Sequence, residues 1–202
     1  LIEKNTYHMG EHICFRRNER LATVNPHWRG NPVVRGKFVN RQHRFRPGMG
    51  SVLKWRLSPN PQRKEKKSVK WSPKLNYLRS LDGVVGNSLI WLGHNSFFLQ
   101  LGRKRIMFDP VFGDIPFVKR QSDFPANPDI FTDIDYLLIS HDHFDHLDKQ
   151  SVARLVKNNP GMKLFCGLGT GELIKGWFPE FEVTEAGWYQ QIDCLLYTSD
   201  AA

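Results

Sequence analysis

The sequence predicts an α/β layered sandwich, on three observations. Residues 88–108 hold three short β-prone runs split by tight turns, which reads as an antiparallel meander. From residue 136 the pattern becomes strand, helix, strand, helix, strand, the order that layers helices on a sheet. The first of those strands, Tyr136-Leu137-Leu138-Ile139, runs into His141-Asp142-His143-Phe144-Asp145-His146, so the densest chemistry of the chain sits at a strand end.

Length and composition allow this fold. With 202 residues, 40% of them apolar and 14 of them Phe, the chain can bury one proper core. No run approaches the ~18 to 20 apolar residues a membrane span needs. The three cysteines, Cys14, Cys166 and Cys194, lie far apart, suggest no disulfide framework and fit a reducing compartment. The expected location is the cytoplasm or the periphery of a membrane. The chain opens on Leu1 rather than Met, so the expected true start lies elsewhere, upstream or at Met9, and a lost signal peptide stays open.

The net charge of +9 is unevenly spread. Residues 1–80 carry 19 Lys or Arg against 4 acidic residues, whereas residues 81–202 carry 10 against 16. A basic extended arm, rich in Pro, Gly and aromatics, is therefore expected over 1–80, ahead of a mildly acidic domain over 81–193. Such an arm suits an anionic membrane surface. A solvated extension on the domain surface is the bland alternative. Nucleic acid is disfavoured, because no oligonucleotide-binding strand pattern accompanies the basic and aromatic residues.

In chain order, residues 1–25 show no periodicity. Residues 26–50 are broken by Pro and Gly too often for helices and read as a strap inserting Trp28, Phe38 and Phe45. Residues 52–57 fit either a helix or an extended run. The charge run 63–67 reads as a solvated loop, with a phospholipid headgroup contact as the sharper alternative. Strands follow at 88–92, 96–101 and 105–108. The loop 111–129 carries Phe112, Phe117 and Phe124, which either pack under the arm or line a groove for acyl chains. A helix over 147–157 has Asp148 at its start and Lys157 at its end, and Asn158-Asn159-Pro160-Gly161 stops it. Then come a strand at 163–166, a glycine-rich turn at 167–171, a helix at 172–177 and strands at 181–185 and 189–192. The glycine-rich turn lacks the Lys-Ser/Thr ending of a phosphate loop, so a tight strand-to-helix turn is the reading.

The histidine-rich stretch carries the chemistry. Imidazole and carboxylate are the ligands that borderline metals such as zinc prefer. Residues two apart on an extended segment face one way, so His141 and His143 can grip one ion. Asp145 and His146, where the chain turns, can reach a second. The bland alternative is a polar loop that solvates a helix start.

This stretch resembles the His-x-His-x-Asp-His signature of the metallo-β-lactamase fold superfamily. Trp91-Leu92-Gly93-His94-Asn95-Ser96 and Ile106-Met107-Phe108-Asp109-Pro110 are similar to the branch of N-acylphosphatidylethanolamine-hydrolysing phospholipase D and its bacterial relatives. The resemblance spans roughly residues 36–193 and implies an αββα sandwich with two divalent ions, zinc first, manganese or iron(II) next. It implies His141 and His143 as ligands of one ion and Asp145 and His146 as ligands of the other. Asp145 is also the expected catalytic carboxylate. Asp109 is a supporting residue that hydrogen-bonds to the metal loop, and His94 lies at the mouth of the site. The implied activity is hydrolysis of a phosphodiester of phospholipase D type by a metal-activated water, with a phospholipid or small molecule as substrate. A lactone, a sugar-phosphate ester and an RNA are the rival substrates.

Residues 194–202 read as a translated sequencing adapter and are expected to be non-native. The family's further ligands, a third His, a bridging Asp and a last His, come later in its chains, and no His follows His146 here. The expectation is therefore the N-terminal half of the sandwich: an inactive fragment with an uncovered sheet face.

Overall fold

The computed structural model describes residues 12–39, 48–69, 73–115, 120 and 122–193. The chain divides into two compact units, Leu1–Phe15 with Asn31–Lys74, and Arg16–Gly30 with Leu75–Ala202. Phe45, Phe117 and the tail at 194–202 lie outside the described residues.

The first unit holds a three-stranded sheet, ordered β1 (Ile13–Arg16), β2 (Asn31–Val34) and β3 (Lys37–Phe38). β2 and β3 are antiparallel, with Val33 opposite Phe38. Arg35 and Gly36 connect them, both with positive φ (50° and 74°), as a two-residue hairpin of matching twist requires. Two helices follow, α1 (Met49–Leu57) and α2 (Arg63–Ser68). The loop expected at 63–67 is thus a helix. Its Lys, Arg and Glu are strong helix formers with no Gly or Pro among them, and Glu65 near the start with Lys66 and Lys67 near the end suits the helix dipole. Neither helix buries a residue.

The second unit is built on a six-stranded mixed sheet. Its order is β4 (Ser88–Gly93), β5 (Ser96–Leu101), β6 (Lys104–Phe108), β7 (Tyr136–Ile139), β8 (Lys163–Gly167) and β9 (Val183–Ala186). The first three pair antiparallel through short turns. The last three run parallel to β6, each reached by a crossover, as parallel pairing demands. Helices α3 (Lys149–Asn158) and α4 (Thr170–Trp177) fill two of the connections. Leu92, Phe98, Met107, Leu137 and Leu164 form one fully buried face with Val152 and Leu155 of α3 and Ile174 of α4.

The opposite face is more open. One row crosses the sheet as Trp91, Phe97, Phe108, Leu138 and Phe165. Trp91 is 54% exposed, and the other four are half-buried.

Two details bear on the expectations from sequence. Phe112 and Phe124 extend the core. They close on Phe131, at ring-centroid distances of 5.6 and 6.3 Å, beside the buried Phe98. Apolar rings in a loop are most stable where they extend an existing core. Residues 189–192 form no strand: a turn leads to a single bridge between Thr23 and Gln190. The Gln190 side chain accepts from the Asn18 amide and donates to its carbonyl, so the segment pairs with Arg16–Gly30 instead of the sheet. Trp28 of that same segment sets its ring edge against Tyr189.

Asp148 caps α3 by accepting from the Ser151 amide and hydroxyl, at 2.8 and 2.6 Å. Buried Asn159 ends it, donating to Phe131 and Leu155 and accepting from the Ile134 amide. Cys166 is buried on β8, and burial pushes its thiol up to about 12, with the Glu185 charge adding to it. A thiol so protonated is inert. Iodoacetamide at pH 8 is expected to modify the exposed Cys14 and leave Cys166 unmodified in the folded protein, as read by peptide mass mapping; early labelling of Cys166 would contradict this packing. Among the described residues, no helix is long and apolar enough to cross a membrane.

Candidate metal centre

Three strand ends meet at one edge of the sheet. β4 runs in the same direction as β6 and β7, so the β4–β5 turn, the residue after β6 and the loop after β7 are neighbours. These supply His94, Asp109 and the 141–146 stretch respectively.

Asp109 ties the edge together. Its amide donates to Leu138 at 3.0 Å, extending the β6–β7 ladder by one residue. Its φ of +40° then turns the chain away. The carboxylate points back at β7, where Oδ1 accepts from the Ser140 amide at 2.7 Å and Oδ2 from the Ser140 hydroxyl at 2.6 Å. Oδ2 also meets His146 Nδ1 at 2.8 Å. Its carbonyl accepts from the buried Ser96 hydroxyl, which in turn accepts from the Val111 amide. Asp109 is 8% exposed, and each polar atom it carries is engaged.

The 141–146 stretch folds into one tight turn, with the amides of His146 and Leu147 both donating to the His143 carbonyl. This curls the imidazoles together. The ring centroids of His141 and His146 are 4.0 Å apart, and those of His141 and His143 4.6 Å. His141 Nδ1 also lies 2.9 Å from the Ser140 hydroxyl. His143 and Phe144 are exposed, and Asp145 and His146 half-buried.

His94 does more than stand at the mouth. Its Nε2 lies 3.1 Å from Asp145 Oδ2, and His146 Nε2 lies 3.7 Å from the same oxygen. The His94 hydrogen bond is the main cause holding the Asp145 carboxyl below the usual carboxylate range, helped by its own backbone amide and by His146. Asn95 Nδ2 donates to His146 Nε2 at 3.0 Å.

The donor chemistry fits a divalent ion. A carboxylate accepts only, so Nδ1 of His146 carries the proton toward Asp109. Nε2 is left with its lone pair, the form in which imidazole binds metals. Sequence reasoning missed Ser140, Asn95 and Arg120. Ser140 adjoins the motif, and Asn95 lies inside the quoted turn, so both were in reach. Arg120 carries no such signal. Its guanidinium donates to the carbonyls of Leu92 and Val111 at 2.8 and 3.2 Å and lies over the Phe124 ring. It thereby clasps the segments that carry His94 and Asp109.

Comparison with known proteins finds the following likenesses. Residues 104–196 match the family model of the beta-lactamase superfamily domain. The chain is 28% identical over 177 residues to N-acyl-phosphatidylethanolamine-hydrolyzing phospholipase D 1 of Caenorhabditis elegans, covering 78% of this chain and 50% of that protein. It is 32% identical over 117 residues to an uncharacterized protein of Mycobacterium tuberculosis, covering 52% and 30%. A metal-dependent hydrolase of Saccharolobus solfataricus is 35% identical over 78 residues, covering 39% and 31%. Over residues 104–196 the chain resembles the metallo-β-lactamase superfamily. Its distant relatives include the N-acyl-phosphatidylethanolamine-hydrolyzing enzymes and the metal-dependent hydrolases just described, of which it spans half the length or less.

Proposed function

We propose that the chain carries part of the active centre of a metal-dependent hydrolase acting on phosphodiesters of the phospholipase D type. One observation carries this reading: Asp109 holds His146 with its Nε2 lone pair turned toward the Asp145 carboxylate, beside the imidazoles of His141 and His143. His141 and His143 would hold one ion, and Asp145 and His146 a second, with zinc the first choice and manganese or iron(II) the alternatives. Bound there, such ions supply Lewis-acid polarisation of a phosphoryl or carbonyl oxygen and an acidified water.

The protein's own groups orient that centre. Asp109 keeps the proton on His146 Nδ1. The Ser140 hydroxyl, held by Asp109, sits against both His141 and His146. Asn95 covers His146 Nε2. In the same reading, the six-stranded sheet with α3 and α4 is one half of an αββα sandwich. The row from Trp91 to Phe165 is its inward face, and the remaining ligands belong to the other half.

The phospholipase choice draws on the nematode relative's name and on the basic first unit. There α1 exposes Met49, Leu53, Trp55 and Leu57 beside Lys54 and Arg56, and the cations of α2 follow. Exposed apolar side chains among cations suit an anionic lipid surface.

The test uses the full-length protein, with N-acyl-phosphatidylethanolamine in anionic vesicles beside a lactone and a sugar phosphate. Release of phosphatidic acid is expected, falling with ionic strength as surface charges are screened. His143→Ala is expected to lower turnover by about 100-fold or more. Undiminished turnover in that variant would sink the metal-dependent reading, and turnover of only the lactone or the sugar phosphate would move the substrate class.

A further inference from the structure

We infer that the β4–β5 turn supplies a metal ligand, His94 Nε2, to the ion held by Asp145 and His146. This rests on the metal-centre part of the proposed function and extends it to a residue outside the His-x-His-x-Asp-His stretch. The donor atoms of His94, Asp145 and His146 all lie within 4.8 Å of one another. The two imidazoles do not stack. Their rings are inclined at 64° with centroids 6.2 Å apart, so the nitrogens converge on the Asp145 carboxylate between them.

The backbone is built to aim His94. Gly93 and His94 both have positive φ, 97° and 52°. Outside glycine this conformation is uncommon, and histidine is among the residues that enter it most readily. Here Trp91 Nε1 donates to the His94 carbonyl at 2.9 Å, and Arg120 holds the Leu92 carbonyl on the other side of Gly93. A β-carbon on Gly93 would collide with the Arg120 guanidinium, so the turn is constrained from both directions.

Two imidazole nitrogens and one carboxylate oxygen are donors of the kind that borderline divalent ions prefer. His94 would bind as the neutral ring with its proton on Nδ1, exchanging its hydrogen bond to Asp145 for the ion both then share.

Cobalt(II) titration of the whole chain tests this by affinity and absorption spectrum, apart from any activity. His94→Asn, whose backbone suits the left-handed turn, is expected to weaken cobalt binding by more than about 10-fold. His94→Cys is expected to keep the ion and add a thiolate-to-cobalt charge-transfer band in the near ultraviolet. Cys14, Cys166 and Cys194 are common to every protein compared and cancel. A His94→Cys protein that holds cobalt without the new band, or a His94→Asn protein that binds like the unaltered chain, overturns the assignment of His94. His146→Ala separates this from the larger reading. If it binds cobalt undiminished, the metal centre itself is refuted. If it alone weakens binding, only His94 is.

Discussion

Replacing Asp109 by alanine is expected to destabilise the protein by about 2–4 kcal/mol and to weaken divalent metal binding by about 10–100-fold. The carboxylate accepts from a backbone amide, a hydroxyl and an imidazole, all at 2.6 to 2.8 Å, and is almost wholly buried. Alanine leaves the Ser140 amide and His146 Nδ1 without their acceptor. Each orphaned buried donor costs about 1–3 kcal/mol. The metal effect has a different origin. Without an acceptor at Nδ1, His146 is free to move its proton to Nε2 and to rotate, and both remove the lone pair from the site. Asp109→Asn separates the two effects. Its amide oxygen can still accept from Ser140, but its NH2 group then faces His146 and favours the wrong tautomer. Stability is thus expected to fall less in Asp109→Asn than in Asp109→Ala, while metal affinity falls comparably. Urea unfolding and zinc titration on both variants give the two readouts. Unchanged zinc affinity in Asp109→Asn would show that the carboxylate supports the loop alone.

The turn at 141–146 and the sheet that presents it were legible because their signals are local. An apolar four-residue run, Tyr136–Ile139, is a strand in the structure, and β5 spans the predicted 96–101. Alternation and turn chemistry decide such elements within a few residues. The first unit was not legible for the opposite reason. β1 pairs with β2 across an interval of 14 residues, and α1 and α2 bury nothing, so no hydrophobic period marks them. At the site, the types of the donors could be read but not their partners. That Asp109 would meet His146, 37 positions away, follows from β6 lying beside β7 in parallel register. Arg120 shows the limit: an arginine among prolines and phenylalanines looks like surface, and only the fold brings two strand-end carbonyls to it.

The glycine-rich turn before α4 has the look of an anion site, and Glu185 shows why it is not one. The amides of Gly169 and Gly171 both donate to Glu185 Oε1, at 2.8 and 2.7 Å. These are among the amides that a helix start leaves without internal partners. The protein's own carboxylate, on β9, occupies the place a phosphate would take, and Arg16 lies 3.6 Å from its other oxygen. Glu185→Ala is expected to cost about 2–4 kcal/mol, because two charge-assisted bonds are lost together and two amides are left to water. Glu185→Gln retains one accepting oxygen and should lose less than half of that. Gly171→Ala attacks the same contact from the other side, since its new β-carbon would sit 2.8 Å from Glu185 Cγ. Urea midpoints ordered unaltered protein, Glu185→Gln, Glu185→Ala would establish the carboxylate as the cap that joins α4 to β9. A Glu185→Ala midpoint equal to that of the unaltered protein would mean that water serves these amides equally well.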